Sequence, residues 1–279
     1  MNFYVVFDIQ KVYRPCTIFM EIFVSSLMKL VIESAPPDPS ISHFVQGFWM
    51  LENKTGKDIP IVVLPDGMAD LFVFKSGNDH YQVMIRGVDT LPGDEVIVAS
   101  TKMFAISFRL LAVEYLFGDS IKDVLNKGRI LTQGVWQFED GSLNSFKKFC
   151  DKATQKIKSF HIKDLDNRKR NLFDLMYASH GSLTVNELSE KVFWSSRQIN
   201  RYFNQQFGIS LKAYCNILRF RASLNHISEG KLFPEQKFTD QNHFIKEIKK
   251  YSGVTPKVLR RNEGGKFINI TAAKKINNE

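Results

Sequence analysis

The stretch 193–212, FWSSRQINRYFNQQFGISLK, returns 45 residues later as 238–257, FTDQNHFIKEIKKYSGVTPK. Phe193-Trp194-Ser195 lies over Phe238-Thr239-Asp240, Arg201 over Lys246 and Phe203 over Ile248. Gly208-Ile209-Ser210 lies over Gly253-Val254-Thr255, and Lys212 over Lys257. The shared residue types are those that start and stop helices. Ser195 and Asp240 carry side-chain oxygens that can accept from the first free amides of a helix. Gly208 and Gly253 can take the left-handed conformation that ends one. Ser210 and Thr255 then open a further helix, with Pro256 suited to its first turn. The spacing predicts short helices over 196–207 and 241–252.

The two helices have matching faces. In the first, Ile199, Tyr202, Phe203 and Phe207 form one apolar stripe, which leaves Arg197, Asn200, Arg201 and Asn204 on the opposite side. In the second, Phe244, Ile245, Ile248 and Tyr251 point one way, and Asn242, Lys246 and Lys249 the other. Arg can bond guanine bidentately, and Asn or Gln can do so with adenine. Such a face on one helix reads equally as a solvated surface; two in register, without an acidic residue among those named, favour base recognition. Upstream, Thr184-x-x-Glu187 reads as a capping box opening a helix from Val185 to Val192. Helix, short turn and helix with a polar outer face make a helix-turn-helix, whose second helix enters the major groove. Between the repeats, Ser210–Ser228 reads as a linker helix, about 28 Å long at ~1.5 Å per residue. With its turns, it would hold two recognition helices near the ~34 Å separation of successive major grooves.

Charge divides along the same line. Residues 1–166 carry 18 Lys+Arg against 20 Asp+Glu, whereas residues 167–279 carry 20 against 9. The whole excess of +9 therefore lies in the C-terminal part. A basic domain beside a near-neutral one points to a polyanionic partner, duplex DNA first.

From His43 to about Leu111, short β-rich runs alternate with turn signals at Pro65-Asp66-Gly67, 76–79 and Pro92-Gly93-Asp94, predicting a β-barrel or jelly roll. The aromatic residues Trp49, Phe72, Phe74 and Phe108, with the polar Asp66 and Arg109, are candidates for an effector pocket; the aromatics also read as core. Residues 142–160 place Leu143, Phe146, Cys150, Ala153, Ile157 and Phe160 on one helical stripe, for packing on the sheet or for a homodimer seam. The fold class expected is α+β. Residues 1–40 are an extension of uncertain role and 41–162 a sensing or dimerisation domain. Residues 163–170 are a linker, 171–264 the DNA-binding domain, and 265–279 a flexible basic tail.

Thr17–Ile32, interrupted by Glu21 and Lys29, falls short of the ~20 apolar residues of a membrane span and lacks a basic n-region and cleavage site. Met28 is an alternative start, which makes residues 1–27 of doubtful meaning. Cys16, Cys150 and Cys215 form no disulfide or zinc pattern and suit a cytoplasmic protein.

These residues resemble the AraC/XylS family of regulators over about 167–262. The most specific piece runs from Phe238-Thr239-Asp240-Gln241-Asn242-His243-Phe244 to Lys249-Lys250-Tyr251-Ser252-Gly253-Val254-Thr255-Pro256. The resemblance implies base contacts from Arg197, Asn200, Arg201, Gln241, Asn242 and Lys246, and phosphate contacts from Ser196, His243 and backbone amides. One departure stands out. The first helix of the second unit should fall near 230–237, where Gly230 and Pro234 disfavour it. His43-Phe44 to Trp49, Leu64 to Gly67, Asp70 to Phe74 and Phe104 to Phe108 look like the sensor domain of some AraC-type regulators.

The function expected is a DNA-binding transcription regulator, not an enzyme, with duplex DNA, a small-molecule effector and the transcription machinery as partners. No cofactor and no metal are expected. Two alternatives stay open: a protein-interaction module at the N-terminus, and a cupin-like enzyme, against which stand the isolated His43 and His80. Cys215 reads as a packing residue rather than an alkyl acceptor.

Overall fold

The computed structural model describes residues 30–268 apart from 76–80, 132–135, 137, 139–142, 144, 163–164 and 234–237. The N-terminal part builds eight strands: β1 (Leu30–Ala35), β2 (Val45–Asn53), β3 (Ile59–Val63), β4 (Ala69–Lys75), β5 (Tyr81–Arg86), β6 (Gly93–Ile97), β7 (Lys102–Phe108) and β8 (Gly128–Ile130). A six-stranded sheet runs β1-β2-β7-β4-β5-β8, all pairs antiparallel. A second sheet pairs β6 with β3 and adds β9 (Phe267–Ile268).

The expected closed barrel is not formed; among the described residues the large sheet is open, with β1 and β8 at its edges. Closure is unnecessary because each face of the sheet already has its cover. Trp49, Leu51, Phe72, Phe74, Met84 and Met103 pack from one face against Ile59, Ile61, Ile97 and Ile268 of the small sheet. From the other face, Phe48 and Phe104 meet Phe149 of helix α1 (Phe146–Ser159), with ring centroids 6.3 and 5.1 Å apart.

Three expectations change here. Residues 30–35, placed in an extension of uncertain role, are the edge strand β1, paired with β2 from Leu30↔Asn53 to Ala35↔Phe48. The stripe on 142–160 buries Phe149, Ala153 and Ile157 against the chain's own sheet, so the apolar face offered to a dimer is already used. Phe267 and Ile268, expected in a flexible tail, pair in parallel with Val62 and Val63. Val62 N donates to Lys266 O at 2.8 Å and Leu64 N to Ile268 O at 3.0 Å. An otherwise open edge of β3 is thereby covered by the end of the chain.

The C-terminal part is helical: α2 (Asn167–Ala178), α3 (Val185–Val192), α4 (Ser196–Phe207), α5 (Leu211–Ser228), α6 (Gln241–Ser252) and α7 (Pro256–Arg261). The long α5 buries residues around most of its girth, among them Tyr214, Ile217, Leu218, Phe220 and Ile227, so the other elements pack around it. Cys215 lies in this buried set, and burial pushes its thiol up to about 12, which keeps it protonated and inert.

The two parts are bonded together. The turn at Gly67, with φ of +77°, lies against α5, and Tyr214 Oη donates to Gly67 O at 2.8 Å. That fixes the proton order next door. Tyr177 must donate to Tyr214 Oη across 2.9 Å, and Leu110 N donates to Tyr177 Oη at 3.2 Å. Glu114 accepts from Tyr202 Oη of α4 at 3.0 Å and pairs with Lys169 of α2 at 2.5 Å. Ile121 N donates to Gln206 O and Ser120 Oγ to Gln205 O, so sheet-domain groups satisfy carbonyls of the last turn of α4.

Candidate nucleic-acid interface

The repeat is reproduced element by element. Helices α4 and α6 each span 12 residues. Ser195 Oγ accepts from Gln198 N at 3.3 Å, and Asp240 Oδ1 from His243 N at 2.8 Å. Gly208 (φ 71°) and Gly253 (φ 76°) end the helices in the left-handed region. Ser210 and Thr255 cap α5 and α7 in the same way, through Ala213 N and Val258 N. Upstream, both bonds of the Thr184/Glu187 capping box are present. Helix α4 buries Ile199, Tyr202, Phe203 and Phe207, the stripe read from the sequence. Helix α6 buries Phe244, Ile248, Tyr251 and Ser252, with Ile245 half-buried.

The outer faces are less uniform than the sequence suggests. Arg197 and Arg201 are exposed on α4 and meet no acceptor among the described residues. Asn242, Lys246 and Lys249 are exposed on α6. The amides behave differently. Asn200 is half-buried; its Nδ2 donates to Ser196 O at 3.0 Å, and its Oδ1 accepts from Leu211 N at 3.3 Å. Asn204 is exposed and donates to Asn200 O at 2.8 Å. Gln241 is half-buried and donates to Leu232 O at 2.9 Å, tying the start of α6 to the preceding loop. Ser196 Oγ lies 3.4 Å from Asn186 Oδ1 of α3. His243 Nδ1 accepts from Thr239 N at 3.2 Å, which assigns the ring proton to Nε2, the nitrogen left to donate outward.

The arginines and lysines are thus presented as free cations among the described residues, while Asn200 and Gln241 already hold the helices in place. Asn200→Ala is expected to destabilise the fold by about 1–2 kcal/mol, since it orphans the Leu211 amide. Urea denaturation measures this; unchanged stability would return Asn200 to a purely reading role.

The second unit has lost its supporting helix as far as it is described. Residues 231–233 carry no helix, and 234–237 lie outside the described residues. Helix α6 is held instead by Phe220 of α5 against Tyr251, and by Phe238 against Phe244, at 5.3 and 5.2 Å.

The candidate effector residues do not form one site. Trp49, Phe72 and Phe74 are core between the two sheets, and Phe108 is core on the opposite face. Asp66 Oδ1 accepts from Met68 N within its turn. Arg109 alone lines a cavity, which lies between the sheet domain and α5. Arg221, also on that cavity, falls in what the sequence presents as a mere spacer helix; an arginine on a helix without carboxylates was the available signal. Among the described residues, no three His, Cys, Asp or Glu gather in a metal-ligating group, and no helix is long and apolar enough to cross a membrane.

Capped helices in tandem, basic outer faces and a sheet domain upstream are the features of helix-turn-helix transcription regulators. In the residues quoted from its two repeats the chain resembles the AraC/XylS type. A curated relative, an uncharacterised HTH-type transcriptional regulator YtdP of Bacillus subtilis, is 22% identical over 141 residues, 47% of this chain. The chain spans only 18% of that relative. Residues 33–128 match a family described as a domain of unknown function, DUF6597. Among solved structures, the C-terminal domain of the two-component response regulator yesN of Fusobacterium nucleatum is 27% identical. That similarity covers 34% of this chain and 99% of that one, with a TM-score of 0.30. Unsaturated fatty acid bound ToxT of Vibrio cholerae is 12% identical over 83% of this chain and 95% of that one, with a TM-score of 0.39.

Proposed function

We propose that this chain is a sequence-specific DNA-binding transcription regulator of the AraC type, acting in the cytoplasm and modulated through its N-terminal domain. The observation that carries this is the repeated capped helix with cations left unpaired among the described residues: Arg197 and Arg201 on α4, Lys246 and Lys249 on α6. Helices α3 and α4 form the first helix-turn-helix. Helix α6 is the recognition helix of the second, steadied by Phe220 of α5 and by Phe238. With 18 residues, α5 is about 27 Å long at ~1.5 Å per residue, suited to setting α4 and α6 into successive major grooves. Arg197, Arg201, Asn242 and Lys246 supply base contacts. Ser196, Asn204 and the Nε2 proton of His243 supply phosphate contacts; the amides of Asn200 and Gln241 position their helices and are second choices as readers. The transcription machinery is the downstream partner.

Binding of the full chain to duplex DNA is expected to fall by roughly 10³-fold between 50 and 200 mM salt, as six or so displaced phosphate counterions require. Filter binding or anisotropy measures it, and salt-independent binding would refute the reading. Arg201→Ala is expected to lose about 1–3 kcal/mol of discrimination at one base pair. An equal loss on every sequence would make Arg201 a phosphate contact.

A further inference from the structure

The cavity between the two parts holds about 260 Å³. Its polar wall is Gln46 of β2, Arg109 at the end of β7, Tyr177 and His180 at the end of α2, and Arg221 and Asn225 of α5. Leu218 and Ala222 are its apolar contribution. The two guanidinium groups come from opposite sides of the domain boundary, and neither has a carboxylate partner among the described residues. Arg109 Nε is shielded from solvent and has no acceptor among them, while the guanidinium lies 4.9 Å from the centre of the Tyr177 ring. Arg109 is fixed from behind as well, since its backbone N donates to Phe44 O at 2.8 Å.

Elsewhere the chain pairs an enclosed arginine fully. Arg86 meets Asp89 and Glu95, each at 2.9 Å. Nothing comparable is offered here. The one carboxylate of α2, Asp174, lies with Arg170 at 3.8 Å, and the 18 residues of α5 contain none. Two half-buried cations that line one cavity without a counter-charge are better accommodated when an anion joins them. The guanidinium fork suits the two oxygens of a carboxylate or phosphate. A cavity of about 260 Å³, below the ~300–1,000 Å³ of drug-sized sites, favours a compact ligand over one with a long aliphatic tail.

We propose that this cavity binds a small, compact organic anion, a carboxylate or a phosphate ester, clamped between Arg109 of the sheet domain and Arg221 of α5. A ligand held from both sides tightens the same boundary that carries the Tyr177–Tyr214–Gly67 chain and the contacts of Ser120 and Ile121 with α4. Its use as an effector rests on the regulator reading above. The binding itself does not, so it is tested without DNA.

The full chain is melted with succinate, citrate, glycerol 3-phosphate or inorganic phosphate, each against sodium chloride at equal ionic strength. A saturable rise in Tm with at least one of them is expected, and the carboxylate and phosphate arms identify the head group. Arg221→Gln is expected to weaken that anion by about tenfold or more, the size of a lost charge-assisted contact. The unliganded Tm of that variant should stay level or rise, because one of two unpaired cations is gone. Arg109→Lys, which keeps the charge without the fork, should fall between the two. No rise beyond chloride with any of the four anions overturns the proposal. So does a rise that survives Arg221→Gln, or a fall in the unliganded Tm of Arg221→Gln, which would make that side chain structural.

Discussion

Gly181→Ala is expected to destabilise the protein by about 3 kcal/mol or more, a large part of the ~5–15 kcal/mol that holds a typical domain folded. Gly181 follows α2 with φ of +69°, a conformation that costs an L-residue about 1 kcal/mol. Its amide donates to Met176 O at 2.9 Å, so rotation out of that region would break the end of α2. The steric cost is larger still. A Cβ there would stand 2.2 Å from Cys215 O and 2.9 Å from Cys215 C, which are backbone atoms of the central helix and cannot swing aside. Relief requires the α2–α3 connection to lift off α5. That movement would carry His180 and Tyr177 with it, and with them one wall of the interdomain cavity. Urea denaturation of the purified variant measures the loss. A change below about 1 kcal/mol would mean that the connection relaxes freely and that α2 is not seated tightly on α5.

What was legible in the sequence was what local chemistry determines. Ser195, Gly208, Asp240 and Gly253 announce helix ends because capping is decided within four residues. The buried stripe of α4 follows from helical period alone. What was illegible depended on approach from a distance. Asn200 lies on the outer face by period, but only the fold brings the Leu211 amide to its Oδ1. The strands were readable and their closure was not, because pairing joins segments such as Val62 and Phe267 that are far apart in the chain.

The effector residues failed for a reason the pleat makes plain. Phe72 sits opposite Ala105, and alternate residues point to opposite faces, so Phe72 and Phe74 share a side that Phe104 and Phe108 cannot reach. A pocket built from both sets was excluded by their parity. Arg109, just past the end of β7, escapes that constraint and reaches the domain boundary.

The second large effect concerns Asp70, on the Trp49 side of the sheet. Trp49 Nε1 donates to Ser107 Oγ at 3.1 Å, and Ser107 donates in turn to Asp70 Oδ1 at 2.5 Å. Burial, reinforced by the negative charges of Asp66 and Asp89, raises the Asp70 carboxyl from 3.8 to about 8; the Ser107 bond and Arg86 oppose this without cancelling it. The folded protein therefore holds this proton more tightly than the unfolded chain does. Its contribution to stability is fully present below the unfolded pKa, and is lost as pH rises from about 4 through about 8. Asparagine keeps the acceptor for Ser107, mimics the protonated carboxyl and does not titrate. Asp70→Asn is accordingly expected to be close to neutral near pH 4. It should be stabilising by on the order of 5 kcal/mol at pH 8, where the folded carboxyl is half-ionised, each pKa unit being worth ~1.4 kcal/mol. Urea denaturation of both proteins across that range supplies the difference curve. A difference that does not grow with pH would show that Asp70 is ionised and paired in the fold, and that the Trp49–Ser107 chain ends on a charge rather than on a neutral acid.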